Sequence, residues 1–208
     1  MIKIGITGKM NSGKNLLANE LELILDPGRT WFCKTMAFAD PIKEIAQLMF
    51  PWADRHGWYG ASKFRNDAIP NAFKGTQPLT YRQVLIDVGS LARSYDEDHW
   101  VKVFDDRLDN VRSNWQAAKI YHMAPSFNTL VIVSDIRFRN EFDYLRKEGF
   151  YLIKLQRNVA STSTHPTEIN QDQIHISEFD QVVDNNGTID ELKAKVPDIR
   201  DQILAHQK

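Results

Sequence analysis

A parallel α/β fold, with five strands in one sheet and helices on both faces, is the class this sequence predicts, and three observations predict it. Stretches with strand and helix periodicity alternate along the chain, the pattern of strands joined by helical crossovers. The run Leu130-Val131-Ile132-Val133 is continuously apolar, as expected of a strand covered on both faces. A polar loop bounded by Gly8 and Gly13 lies between the first strand signal and the first helix signal.

The elements follow in order. Ile2 to Thr7 read as a strand, and Gly8 to Gly13 as the loop after it. Leu17, Ala18, Leu21, Ile24 and Leu25 recur at the helical period and give the next helix one apolar face, which Asp26-Pro27-Gly28 ends. Trp31 to Ala39 predict a second strand. Asp40 is expected as the N-cap of the helix that follows, with Pro41 at its first position and Ile42, Ile45, Ala46 and Met49 as its face. From Pro51 to Pro78 the periodicity fades, and Trp52, Trp58, Tyr59, Phe64 and Phe73 mix with glycines and basic residues, which reads as a surface excursion. Two helices come next: Thr80 to Arg93, with Val84, Leu85 and Val88 inward, and Asp98 to about Ala117, with Val101, Phe104, Leu108, Val111 and Trp115 along one side. Thr129 to Ser134 form the third strand and end at Asp135; a helix from about Asn140 to Glu148 stops at Gly149. Phe150 to Leu155 and Gln181 to Val183 are the last strands, before a C-terminal helix. No repeat, low-complexity tract or flexible linker interrupts the series. All 208 residues are therefore expected to form a single domain, with an excursion at about 51–125 and a long polar segment at about 157–178.

Composition narrows the function. A hydrophobic share of 42% with 25% charged residues is the usual globular mix and excludes a disordered chain. No window approaches the ~20 apolar residues of a membrane span. The N-terminal MIKIGITG carries Lys3 inside an alternating run and no cleavage site, so a signal peptide is not expected and a cytoplasmic location is. The single cysteine, Cys33, can form neither an internal disulfide nor a multi-cysteine metal site, which agrees with a reducing compartment. With 26 basic and 27 acidic residues the net charge is −1, so no broad attraction to nucleic acid is expected. An anionic ligand must be met by a local cluster. His165 and His175 lack metal-ligand spacing with other Cys or His residues.

Such a cluster is present at the first loop. Gly8-Lys9-Met10-Asn11-Ser12-Gly13-Lys14 fits GxxxxGK between strand and helix, the context in which successive backbone N–H groups hold a phosphate chain. Gly8 and Gly13 keep side chains out of the way, and Lys14, read as an exposed loop lysine, reaches the β and γ phosphates. Lys9, Asn11 and Ser12 complete the cradle. Asn15 stands where a Ser or Thr hydroxyl usually contacts magnesium. Magnesium then leans on Asp135 at the carboxyl end of the buried strand, with Asn15 as a second, weaker ligand; the competing role for Asp135 is a helix N-cap.

These residues resemble the deoxynucleoside monophosphate kinases of tailed bacteriophages, which are P-loop kinases. The likeness covers most of the chain: Ser12-Gly13-Lys14, Phe38-Ala39-Asp40-Pro41-Ile42-Lys43, Arg82-Gln83-Val84-Leu85 with Gly89, Arg93 and Trp100, Ser134-Asp135-Ile136-Arg137-Phe138-Arg139-Asn140-Glu141, then Arg157, His175, Ser177-Glu178 and Asp184-Asn185-Asn186-Gly187. Where the family has Asp and Thr after the loop lysine, this chain has Asn15 and Leu16, and Leu91 stands for the glutamate two residues after the family's glycine. The resemblance implies a P-loop kinase that uses ATP and Mg²⁺, a small nucleotide as partner rather than nucleic acid or membrane, a homodimer, and the host cytoplasm if the protein is phage-encoded. By the same resemblance dTMP and dGMP are the first acceptors to try.

The residues themselves lead to similar chemistry. A kinase for a phosphorylated acceptor must neutralise donor and acceptor phosphates, so it needs arginines from more than one element. Arg65, Arg82, Arg93, Arg137, Arg139 and Arg157 are the candidates, with Arg137 and Arg157 nearest the chemistry. Each has a solvated surface role as its alternative. Asp40 and Lys43 lie where an acceptor is bound, Trp100 belongs to the same set, and Trp58, Tyr59 and Phe64 offer stacking surfaces for a base as well as core packing. Arg157 to Glu178 sit where nucleotide kinases carry a water-excluding lid. Two alternatives stay open: a P-loop kinase for another metabolite, of the dephospho-coenzyme A or phosphomevalonate type, and a nucleotide-dependent switch with no acceptor.

Overall fold

The computed structural model describes residues 1–9, 11–28, 31–121, 128–158 and 174–206. Most of the expected lid, 159–173, and His165 within it lie outside the described residues. The chain divides into two compact units, one of Met1–Ala37 with Arg107–Lys208 and one of Phe38–Asp106.

In the first unit, β1 (Ile2–Thr7), β2 (Phe32–Met36), β5 (Thr129–Ser134), β6 (Tyr151–Gln156) and β7 (Gln181–Asp184) form a sheet in the order β2-β5-β1-β6-β7. Every neighbouring pair is parallel, and Ile4 of β1 lies opposite Ile132 of β5. Strand alternation sends Ile4, Ile6, Leu130, Ile132, Ile153 and Leu155 to one face. There they pack with Leu17, Leu21 and Leu25 of α1 (Lys14–Leu25) and with Leu192, Val196, Ile199 and Ile203 of α7 (Ile189–His206). On the opposite face Gly5 leaves room for a helix: a Cβ there would lie 2.5 Å from Leu152 Cδ2 and 3.5 Å from Leu145 Cδ1 of α6 (Arg139–Lys147). Helices thus cover both faces, as the sequence predicts. The periods locate β1, β5 and β6 because most of their residues are buried, whereas the edge strands β2 and β7 bury only Met36 and Val183. Among the described residues no helix is long and apolar enough to cross a membrane.

The second unit is more structured than a surface excursion. It holds α2 (Asp40–Met49), α3 (Arg55–Tyr59), a 3₁₀ turn (Ser62–Asn66), an antiparallel hairpin of β3 (Ala68–Lys74) and β4 (Gln77–Thr80), α4 (Tyr81–Tyr95) and the start of α5 (His99–Tyr121). Trp58, Ile69, Ala72, Tyr81 and Val84 build a separate core with Ala46 and Ala53. The hairpin has no period-2 signal because the pairing shifts between Ala68 and Phe73, where Asn71 has φ 58°. Its buried positions, Ile69 and Ala72, therefore fall three apart. The unit shares 51–106 with the expected excursion but begins earlier, at Phe38, and ends before 125.

Asp40 is also corrected. Ala39 occupies the cap position of α2 with φ −82° and no side-chain cap bond, and Asp40 lies inside the first turn, where Lys43 Nζ reaches its carboxylate at 2.8 Å. Thr80 is a true cap: its hydroxyl accepts from Gln83 N–H at 3.2 Å at the start of α4.

Candidate functional site

The loop between β1 and α1 is shaped by positions that only a few residue types tolerate. Gly13 precedes α1 with φ 97°, and Asn11 also has positive φ, 63°. A Cβ on Gly8 would lie 2.5 Å from Leu155 O of β6, so the loop can run this close to the sheet only with glycine there. The first turn of α1 has no acidic residue and no side-chain cap, which leaves its N–H groups to an anion. Ser12 is fully buried, and its hydroxyl has no hydrogen-bond partner among the described residues. Its carbonyl accepts from Asn185 Nδ2 at 2.8 Å, a buried contact with the segment after β7.

Lys14 is folded into the loop rather than exposed, with only 11% of its side chain accessible. Its ammonium donates to Gly8 O at 2.5 Å and Lys9 O at 3.0 Å and lies 3.5 Å from Asp135 Oδ1. These contacts hold the charge at the mouth of the cradle. Asp135 follows β5 with φ 73°, an uncommon conformation that aspartate tolerates better than most, and its N–H donates to Ile6 O at 3.0 Å. Arg137 Nε and Nη2 donate to Asp135 Oδ2 at 2.8 and 2.5 Å. The alternative role of Asp135 as an N-cap is overturned: α6 starts at Arg139, with Phe138 in the cap position. Glu141 performs the anchoring there. Its buried carboxylate accepts from Arg137 N at 2.8 Å and Phe138 N at 3.2 Å, and so fixes the turn that carries Arg137.

The other predicted residues fall in two groups. In the first unit, Arg139 pairs with Asp143 at 2.9 Å and Glu178 at 2.8 Å, Arg157 is exposed just beyond β6, and Asn15 is exposed in the first turn of α1. In the second unit, Arg82 ties α4 to the 3₁₀ turn through Asn66 Oδ1 at 2.7 Å and Ser62 O at 3.4 Å, while Arg65 is half-buried on that turn. Arg93 Nη1 and Trp100 Nε1 both donate to Gly89 O, at 3.4 and 3.0 Å. Trp100 is 2% exposed and packs within the second unit. Trp58 is buried, edge-on to Tyr81, whereas Tyr59 stays exposed with Arg55 4.8 Å and Lys43 5.9 Å from its ring centre.

Asn185 and Glu141 were missed as working residues, although both stand in the motifs quoted above. The bond from Asn185 to Ser12 spans 173 positions and leaves no local pattern in the sequence. Among the described residues no cluster of three or more His, Cys, Asp or Glu side chains could hold a metal by itself. A magnesium ion bound with nucleotide needs fewer: one or two carboxylates, the phosphates and waters. The Asp135 carboxylate, beside Lys14 and Arg137 at the end of β5, fits that requirement.

The family model described as deoxynucleotide monophosphate kinase matches residues 71–196. A protein of Acanthamoeba polyphaga mimivirus, provisionally named as a deoxynucleotide monophosphate kinase, is 30% identical over 207 residues, 94% of this chain and 94% of its own length. Among solved structures, an unliganded sugar kinase from Janibacter sp. HTCC2649 aligns with 98% of this chain and 96% of its own at 15% identity and a TM-score of 0.37.

Proposed function

Because this chain belongs to the deoxynucleotide monophosphate kinase family, and is thereby a phosphotransferase, we propose that it transfers the γ-phosphoryl of ATP to a deoxynucleoside 5′-monophosphate, giving ADP and the diphosphate. The observation that carries the donor assignment is Lys14, held by two loop carbonyls and Asp135 at the uncapped start of α1. In this reading the N–H groups of the loop and of Lys14 bind the β and γ phosphates, with Gly8, Lys9, Asn11, Ser12 and Gly13 forming the cradle. Asp135, with Asn15 beside the loop, would hold Mg²⁺, which supplies neutralisation of phosphate charge when bound. Arg137, oriented by Asp135 and Glu141, faces the same end of the sheet and serves the transferring group. Arg139 and Arg157 add charge from the first unit.

The acceptor side draws on Asp40, Lys43, Arg65, Arg82 and Arg93 of the second unit, with exposed Tyr59 as a stacking surface. Arg82 donates to neutral oxygens of the protein, Asn66 Oδ1 and Ser62 O, which an anionic phosphate replaces at a gain. The chemistry needs no covalent intermediate, because in-line transfer depends on positioning and charge neutralisation.

The test is an acceptor screen that begins with dTMP and dGMP and follows ADP and diphosphate together. ADP release that rises with a deoxynucleoside monophosphate, in equal amount with its diphosphate, is the expected result. Steady ATP hydrolysis indifferent to every nucleoside monophosphate would reject this activity and favour a switch. Stimulation only by a non-nucleotide metabolite would favour a kinase of the dephospho-coenzyme A or phosphomevalonate type.

A further inference from the structure

We infer that Asn185 is a positioning residue for the phosphate-binding loop, setting the direction in which the Gly13 N–H donates; this rests on the donor-site reading above. A trans peptide carries its C=O and N–H on opposite sides of one plane, so fixing one fixes the other. Asn185 Nδ2 donates to Ser12 O at 2.8 Å, and the Ser12 carbonyl belongs to the same peptide as the Gly13 N–H. With the carbonyl held toward Asn185, the N–H is turned the other way, into the loop.

The geometry around this bond is tight on every side. Asn185 is 4% exposed, and its own N–H donates to Gln156 O at 2.7 Å, which anchors it to the end of β6. A Cβ at Gly13 would lie 2.8 Å from Asn185 Nδ2 and 3.5 Å from Leu192 Cδ2 of α7. Glycine at 13 therefore serves twice, allowing φ 97° and admitting the amide of Asn185 against its Cα. A buried carbonyl deprived of its donor would rotate toward another partner, and the Gly13 N–H would swing with it. The segment after β7 thus acts on the phosphate without touching it.

The probe is inorganic tripolyphosphate, which reports on the loop without any base or sugar, titrated calorimetrically into the full chain and its Asn185→Ala and Asn185→Leu variants. Asn185→Leu keeps the volume and removes the donor without adding charge, so it separates the hydrogen bond from packing should Asn185→Ala fold poorly. Both variants are expected to bind tripolyphosphate about tenfold more weakly, the worth of one organising hydrogen bond. In the kinase assay the KM for the donor nucleotide should rise by a similar factor while the acceptor KM stays within about twofold, a split that general loosening of the fold would not produce. Folded variants that bind tripolyphosphate as tightly as the unaltered chain overturn the inference and leave the donor site standing. Absence of tripolyphosphate binding to the unaltered chain overturns both.

Discussion

Asp135 shows how one side chain is asked to satisfy three demands at once. Its backbone has positive φ, its carboxylate is held between Lys14 and Arg137, and it lies at the strand end nearest the loop. Asparagine shares the tolerance for that backbone, so Asp135→Asn should fold and lose only charge. The Mg²⁺ concentration for half-maximal rate is expected to rise about tenfold, and an unchanged magnesium titration would remove Asp135 from the metal site. Cys33 gives a second residue-scale expectation that is independent of activity. Burial, then the charges of Glu22 and Asp26, push its thiol up to about 11 from 9.0, and the Asp26 carboxylate accepts its S–H at 3.8 Å. The raised value favours the protonated thiol in the fold. Stability from this group is therefore complete below about pH 9 and is lost as the pH climbs toward 11. Alkylation of this lone cysteine by iodoacetamide should still accelerate at pH 10, whereas a plateau by pH 9 would contradict the assigned environment. Lys14 and Asp135 were legible in the sequence because each belongs to a short local pattern. The partners of Arg82 and Asn185 were not, because they come from segments with no fixed spacing to them.

At the scale of elements, the helical and strand periods found the parallel sheet because its three central strands, β5, β1 and β6, are short, buried and regular. β5 extends one residue beyond its apolar run at each end, from Thr129 to Ser134. The region from Pro51 to Pro78 escaped the same reading because its burial comes from isolated residues on short pieces. α3 has five residues and gains its place by packing, not by intrinsic helix stability. Gly57 within it is the test of that view. Alanine in place of glycine favours a helix by ~1 kcal/mol, yet a Cβ at Gly57 would lie only 2.2 Å from the Tyr81 ring. That ring is 4% exposed, packs edge-on to Trp58 and accepts Asp54 N–H on its hydroxyl at 3.0 Å, so it cannot swing aside freely. Overpacking costs about 1–3 kcal/mol and should win, so Gly57→Ala is expected to lower Tm by several degrees. A melting temperature unchanged or raised would mean that propensity, not the Tyr81 contact, governs α3.

For the molecule as a whole, near-neutral net charge means that affinity for phosphates is local, and the division into two units makes that locality measurable. The boundaries at Phe38 and Asp106 had no signal in the sequence, since no linker or shift in composition marks them; they follow from which side chains share a core. Gly8 to Lys14 and Asp135 belong to one unit, while Lys43, Arg82 and Arg93 belong to the other. A ligand that binds only the folded chain stabilises it by about 2.7 kcal/mol at a hundred times its Kd, which for a chain of this size raises Tm by roughly 5–10 °C. Tripolyphosphate and a deoxynucleoside monophosphate should each produce such a rise in the unaltered protein. Lys14→Met keeps most of the side-chain volume of a lysine that is 11% exposed, and removes the charge held between Gly8 O, Lys9 O and Asp135. The variant should therefore lose most of the gain from tripolyphosphate and keep that from the monophosphate, as followed by thermal scans with each ligand alone. Equal loss of both gains would place the two phosphates in one site and refute the separation of donor and acceptor groups between the units.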